Sequence, residues 1–209
     1  MSIRTLKLSD RDARSALQLQ CVTLLNLPKL WTHADLLALP DDGIERYIIN
    51  GDLREAGMTR RSFPHSRSMM KVGHELLKWL DANPHLGGRV VGGEAGVRLS
   101  VSPETTVGVD AAYVSREVAE ATDSDAYLIN GAPTVAVEIL SPSDTHEAVK
   151  EKIGVYLKYG VRSVWILDPE FKLVTIHRPA QPPLALNVTG RIEQLPELPG
   201  FACDVGDLF

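Results

Sequence analysis

The chain is 209 residues long with 44% hydrophobic and 23% charged residues, a balance that suits one globular domain with a sizeable core and excludes fibrous or disordered architectures. Its net charge of −5 argues against a general nucleic-acid coat, which needs a basic surface, although a local basic stripe can exist within an acidic whole. No run approaches the roughly 18 apolar residues of a membrane span, MSIRTLKLSDRDARSA has no apolar signal-peptide region, and Cys21 and Cys203 form no CxxC. The expectation is a cytoplasmic protein with structural thiols, no membrane contact, no disulfide framework and no zinc site.

In chain order, Ser9 is placed to N-cap a helix through about Leu25, and residues 1–28 read as an N-terminal extension ahead of a domain over 29–209. Thr32 opens a short helical pattern, THADLLALP, which Pro40 ends. ERYIIN and DLREAG flank Asn50-Gly51, a hairpin signal because both turn residues tolerate positive φ. The longest helical pattern spans 64–82, with Met69, Met70, Val72, Gly73, Leu76, Leu77 and Leu80 as its apolar face, and Asn83-Pro84 stops it.

Residues 89–91, 96–100 and 109–114 are strand candidates. Between the first two, Gly92-Gly93-Glu94-Ala95-Gly96 contains neither GxxxxGK nor GxGxxG and reads as a β-turn whose Glu94 stays outside the site. Residues 134–140 form a buried strand, and a helix over 144–159, capped by Ser-Pro-Ser-Asp and closed by Gly160, leads to a strand at 163–168. Strand, helix, strand predicts a right-handed parallel crossover. Shorter strands follow at 172–177, 185–188 and 191–194. The expected fold is α/β, a mixed sheet flanked by helices, and not a doubly wound nucleotide fold.

Glu138 is the most informative residue, because TVAVEIL is otherwise apolar and an ionised carboxylate there is costly without a cationic partner. Alternation puts it on one face with Thr134, the small Ala136 and Leu140. Asp110 sits in a second apolar strand, VDAAYV, beside Ala112 on its own face. If the strands pair, the two carboxylates can share a hard cation such as Mg²⁺ or Mn²⁺, whereas zinc lacks clustered His or Cys. Lys152 shares the sheet-facing side of the next helix with Val149 and Tyr156, within reach of Glu138. On residue types alone, a structural ion pair ranks slightly ahead of catalysis. His65, next to Pro64, falls in the first turn of the long helix, where it either contacts phosphate or forms a surface cap. His74 is out of phase with it on the helix and is assigned to structure.

From Trp31 onward, LLALPDDGIERYIINGDL, FPH, GEAGVRLSVSPETTVGVDAAYVS, GAPTVAVEILSPSDTHEAVKEKIGVYLKYGVRSVWILDP and LPGFACDVGDLF resemble, in order, the Uma2 (DUF820) family of the PD-(D/E)XK nuclease superfamily. The resemblance implies a restriction-endonuclease-like fold. Asp110 matches the aspartate of the PD element, with Val109 in place of the proline, and Glu138 matches the acid of (D/E)XK. Leu140 stands where the superfamily lysine would be, and the resemblance gives that role to Lys152 on the following helix. It also implies a catalytic role for His65 and a metal-ligating carbonyl on Ile139. Two departures bear on activity: Ile48 replaces an acid often placed near the metal, with Asn50 or Asp52 as substitutes, and Ala148 replaces an acid of the helix.

The function implied is a Mg²⁺- or Mn²⁺-dependent endonuclease hydrolysing DNA, with a homodimer convenient for cutting two strands. The alternatives are a catalytically inactive nucleic-acid- or protein-binding member of the same fold, and a hydrolase of another phosphate ester, because a fold does not fix its substrate.

Overall fold

Thr32 starts the first helix among the described residues, as predicted: its hydroxyl accepts the Asp35 N–H at 3.2 Å, and the Asp35 carboxylate accepts the Thr32 N–H at 2.9 Å. This reciprocal capping box opens α1 (His33–Leu37). The computed structural model describes residues 28–57 and 61–209, so the helix predicted from Ser9 lies outside the described residues. Trp31–Phe209 forms one compact unit, described below.

β1 (Ile44–Ile49) and β2 (Asp52–Gly57) form the predicted hairpin. Asn50 at φ 52° and Gly51 at φ 83° take the left-handed turn conformation that flat-chain residues resist. α2 (Phe63–Ala82) follows, N-capped by Ser62, and after a 3₁₀ turn (Pro84–Leu86) comes the long hairpin of β3 (Arg89–Val101) and β4 (Glu104–Val114). α3 (Arg116–Glu120), β5 (Ile129–Asn130), β6 (Val135–Ile139), α4 (His146–Lys158) and β7 (Ser163–Asp168) come next. β8 (Leu173–His177), β9 (Leu184–Asn187) and the small pair β10 (Arg191–Glu193) and β11 (Ala202–Asp204) complete the order.

The main sheet runs β2-β1-β4-β6-β7-β8-β9, with β3 on the other edge of β4 and β5 on β3. β6 and β7 are parallel, as the crossover predicts, and the other pairings along that path are antiparallel. The mixed α/β sheet flanked by helices is therefore the fold observed.

Two apolar layers sandwich the sheet. On one side Val72, Leu76 and Trp79 of α2 meet Tyr113, Val137 and Trp165 and the C-terminal segment through Phe201 and Leu208. On the other, Tyr156 and Val161 meet Ala112, Ala136, Val164 and Ile166.

Several boundaries differ from the sequence reading for physical reasons. Met70 and Leu77, predicted on the apolar face of α2, are 70% and 47% exposed, whereas Trp79 is buried and its indole N–H donates to the Pro199 carbonyl at 2.9 Å. The 3.6-residue repeat favours Val72, Leu76 and Trp79 for the narrow stripe that reaches the sheet. The helix α4 is capped by Thr145, which accepts the Ala148 N–H at 3.2 Å; Asp144 instead turns back to accept the Ser141 N–H at 2.7 Å. The glycine-rich segment at 92–96 is no turn but the continuation of β3 through a bulge. Cys203 is a buried free thiol, pushed up to about 12 chiefly by burial.

Candidate active site

The site arises where two strands divide one edge of β4 between them. β3 occupies one edge of β4 along most of its length. The other edge is taken at Thr106 by Ile48 of β1 and at Ala111, Ala112 and Tyr113 by β6, leaving the stretch from Val107 to Asp110 unpaired between the diverging strands. The β4–β6 ladder ends at Ala111 opposite Val137. One step further along the same register, Asp110 faces Glu138. With no strand partner there, the Asp110 side chain supplies the missing acceptor: its Oδ2 takes the Ile139 N–H at 2.7 Å.

Glu138 points toward α4. Its Oε2 accepts from Lys152 Nζ at 2.9 Å and its Oε1 from the Tyr156 hydroxyl at 2.6 Å. Tyr156 also lies 3.1 Å from the Gly108 carbonyl, tying α4 to the unpaired stretch of β4. Burial holds the Glu138 carboxyl above the usual glutamate range, with Lys152 pulling it back and the Asp110 charge adding to the rise. For Lys152, burial works against the ammonium, but the Glu138 charge and hydrogen bond outweigh it and raise its pKa. Burial, then the Glu138 charge, raises the Tyr156 phenol well above its ordinary value. Lys152 is thus a fixed cation and Tyr156 a fixed hydroxyl donor.

His65 is neither a surface cap nor a group on the cleft wall. It is 1% exposed, and its Nε2 lies 3.3 Å from Asp110 Oδ1 without hydrogen-bond alignment. It touches Asp110 and is not among the residues that line the cleft. The helix start explains this: Ser62 accepts the His65 N–H at 3.3 Å, so the cap is Ser62 and the imidazole turns inward.

Asp110, Glu138, Ile139 and Lys152 line one cleft of about 400 Å³. Glu45, Tyr47, Arg61 and Glu94 line it too, and none of the four was singled out as a site residue from sequence. Glu45 and Tyr47 share one side of β1 by strand alternation. Ile48, where the resemblance leads one to expect an acid, is fully buried on the opposite side. Asn50 accepts instead from Lys158 Nζ at 2.8 Å and the Tyr159 hydroxyl at 2.7 Å, and Asp52 is exposed near Arg54, so neither replaces that acid in the cleft. Ala148 does line the cleft. Lys152 Nζ stands 5.9 Å from the centre of the Tyr47 ring, a cation–π contact on its open side.

The donor set fits a hard divalent cation. Asp110 Oδ1 is buried and makes no hydrogen bond, with the His65 imidazole 3.3 Å away, so it is an oxygen able to donate to a cation. Glu138 lies across from it, and each of its oxygens, although already accepting one hydrogen bond, retains a further lone pair. Oxygen donors of this kind suit Mg²⁺ or Mn²⁺. Among the described residues, no three or more His, Cys, Asp or Glu side chains stand together in a ready-made metal cluster.

The fold and this cleft define a chain of nuclease-like architecture. The crystal structure of a "putative nuclease belonging to DUF820" from Anabaena variabilis is similar at a TM-score of 0.70 and 20% identity, over 86% of this chain and 97% of that one. The sequence model of the Uma2 family, described as "Putative restriction endonuclease", matches residues 33–206, and the chain belongs to that family. No curated protein matches it. Among the described residues no helix is long and apolar enough to cross a membrane.

Proposed function

We propose that this protein is a Mg²⁺- or Mn²⁺-dependent endonuclease hydrolysing DNA phosphodiester bonds. The observation that carries the proposal is that Asp110, whose buried Oδ1 makes no hydrogen bond and has only the His65 imidazole beside it, lines the same cleft as Glu138 and its lysine partner. Two acids placed where the sheet opens are costly for stability unless a cation uses them. DNA as the substrate rests on the family's description and on the nuclease fold of its structural relative.

Asp110 and Glu138 would hold the cation, joined by the Ile139 carbonyl. When bound, the cation lowers the pKa of a water and neutralises charge on the phosphate. Lys152 keeps its proton and acts as a hydrogen-bond donor and positive charge toward the reacting phosphate, not as a base. His65 Nε2 stands 3.3 Å from Asp110 Oδ1, and a catalytic part for His65 would be exerted through that carboxylate. A homodimer would present two such clefts to two strands.

A second reading has one observation in its favour. Each Glu138 oxygen already has a donor, as an internal network in a catalytically silent, nucleic-acid- or protein-binding member would require. Mn²⁺ binding and plasmid cleavage by wild type, Asp110→Asn, Glu138→Gln and Lys152→Ala separate the two. The nuclease reading expects wild type to bind and cut and all three variants to lose cleavage. A wild-type chain that neither binds Mn²⁺ nor cuts establishes the silent network.

A further inference from the structure

Glu94 stands on a bulge directly across from Asp110. β3 and β4 pair Gly92 with Ala111 and Ala95 with Val109, so Gly93 and Glu94 together oppose Asp110 alone. Two residues against one is the pattern of a β-bulge, a device that re-aims a side chain and recurs beside active sites. Gly93 has φ 82° and Glu94 φ 60°. The left-handed backbone is natural for the glycine but disfavoured for a glutamate, and such conformations cluster at functional positions.

The bulge sends the Glu94 carboxylate back over β4. A Cβ on Gly108 would come within 3.0 Å of Glu94 Oε2, so the glycine leaves the space that the carboxylate fills. The Gly108 carbonyl lies 3.1 Å from the same Tyr156 hydroxyl that donates to Glu138. Glu94 therefore borders the cleft that contains Asp110, Glu138 and Lys152. It is held there by Arg61, which ion-pairs with Glu94 and also lies 3.6 Å from Glu45. Asp110, which lines the same cleft, has a buried Oδ1 that makes no hydrogen bond and lies 3.3 Å from His65 Nε2.

We propose that Glu94 is the third carboxylate of the metal site, parked on Arg61 until a divalent cation enters. This rests on the metal-dependent reading above. A hard cation draws on several oxygen donors at once, and Asp110 and Glu138 supply two carboxylates. The bulge supplies the third from β3, in place of the acid absent at Ile48. Transfer of Glu94 to the cation leaves the Arg61 guanidinium with Glu45 as its remaining acidic neighbour, so that it can also meet a DNA phosphate.

The test is Mn²⁺ titration of the full chain by calorimetry and electron paramagnetic resonance, with thermal melts to verify folding. Glu94→Gln, which preserves side-chain shape, is expected to weaken Mn²⁺ binding by about 10-fold or more, at least the loss seen for groups that only support a ligand. Arg61→Gln is expected to tighten it several-fold, because the competitor for Glu94 is gone. A purely structural salt bridge predicts that both variants lower thermal stability alike with Mn²⁺ affinity unmoved, and that result overturns the inference. Loss of Mn²⁺ binding in Glu138→Gln but not in Glu94→Gln overturns the role of Glu94 and leaves the metal reading standing. Failure of wild type to bind Mn²⁺ overturns both. Should Glu94→Gln fold poorly at its strained position, Arg61→Gln decides alone, since affinity that does not rise contradicts the parking arrangement.

Discussion

Lys152 Nζ lies 2.9 Å from Glu138 Oε2, joining a helix lysine to a strand acid. Each partner compensates the other's burial, so removing one leaves an uncompensated charge beside a second acid, Asp110. Lys152→Ala is expected to lower stability by about 1–3 kcal/mol, the usual cost of stranding a buried polar partner. The double variant Lys152→Met with Glu138→Gln removes both charges and should regain most of that loss, as replaced buried ion pairs often do. Urea denaturation reads the stability, and plasmid cleavage should be absent in both. A double variant that remains as unstable as the single one would show that the pair itself is a main source of stability.

Asp110→Asn should separate stability from function. The amide keeps an oxygen for the Ile139 N–H and can turn its own N–H toward His65, where the wild-type carboxylate has an unsatisfied oxygen. We expect the variant to melt at the wild-type temperature or above it, a gain of up to about 1 kcal/mol, because it relieves a buried unpaired charge. Cleavage should fall on the order of 10²-fold or more, the loss typical of removing one electrostatic group from an active site. A clear drop in melting temperature would instead mark Asp110 as a structural residue.

The placement of Asp110 and Glu138 was legible in the sequence because a charge inside an apolar strand is chemically conspicuous; helical spacing put Lys152 within reach of Glu138, but its role came from the family resemblance. Glu94 was not legible. Strand alternation cannot predict where an inserted residue shifts the register, and two glycines followed by an acid look like a turn when read locally. Tyr156 was placed only on the sheet-facing side of its helix, where it is indeed buried; the β4–β6–α4 arrangement is what shows that its hydroxyl ends on Glu138. His65 lies in the first turn of the long helix as expected, but the sequence could not show that Ser62 takes the cap and leaves the imidazole facing inward. Contacts that depend on which edge of β4 each strand occupies have no local signal.

The same contrast applies to the long helix, where periodicity offered more apolar residues than the sheet can cover. Leu76 is fully buried between α2 and the sheet, whereas Leu77 and Met70 face outward. Leu76→Ala is expected to cost about 2–5 kcal/mol, the range for core leucines. Leu77→Ala and Met70→Ala should stay within about 0.5 kcal/mol of wild type, as exposed substitutions usually do. Parallel urea titrations of the three proteins check the assignment of the buried face, and a large loss in Met70→Ala would contradict it.

The raised carboxyl of Glu138 gives stability and metal binding opposite dependences on pH. Burial is the largest cause of the rise, so the folded chain keeps this proton at pH values where an unfolded glutamate, with a pKa of about 4.3, has lost it. Across that window the native state binds more protons than the unfolded state. The contribution of this group to stability is therefore full at low pH and diminishes as pH rises through the window. Glu138→Gln, which has no proton to lose, should flatten that part of the stability profile of the metal-free protein. Metal binding requires the ionised carboxylate, so wild-type Mn²⁺ affinity should climb over the same window, at most about tenfold per pH unit for one displaced proton. Calorimetry in buffers of different ionisation heat measures the released proton directly. Affinity that is flat in pH, with no proton released, would mean that Glu138 is already ionised or does not touch the cation.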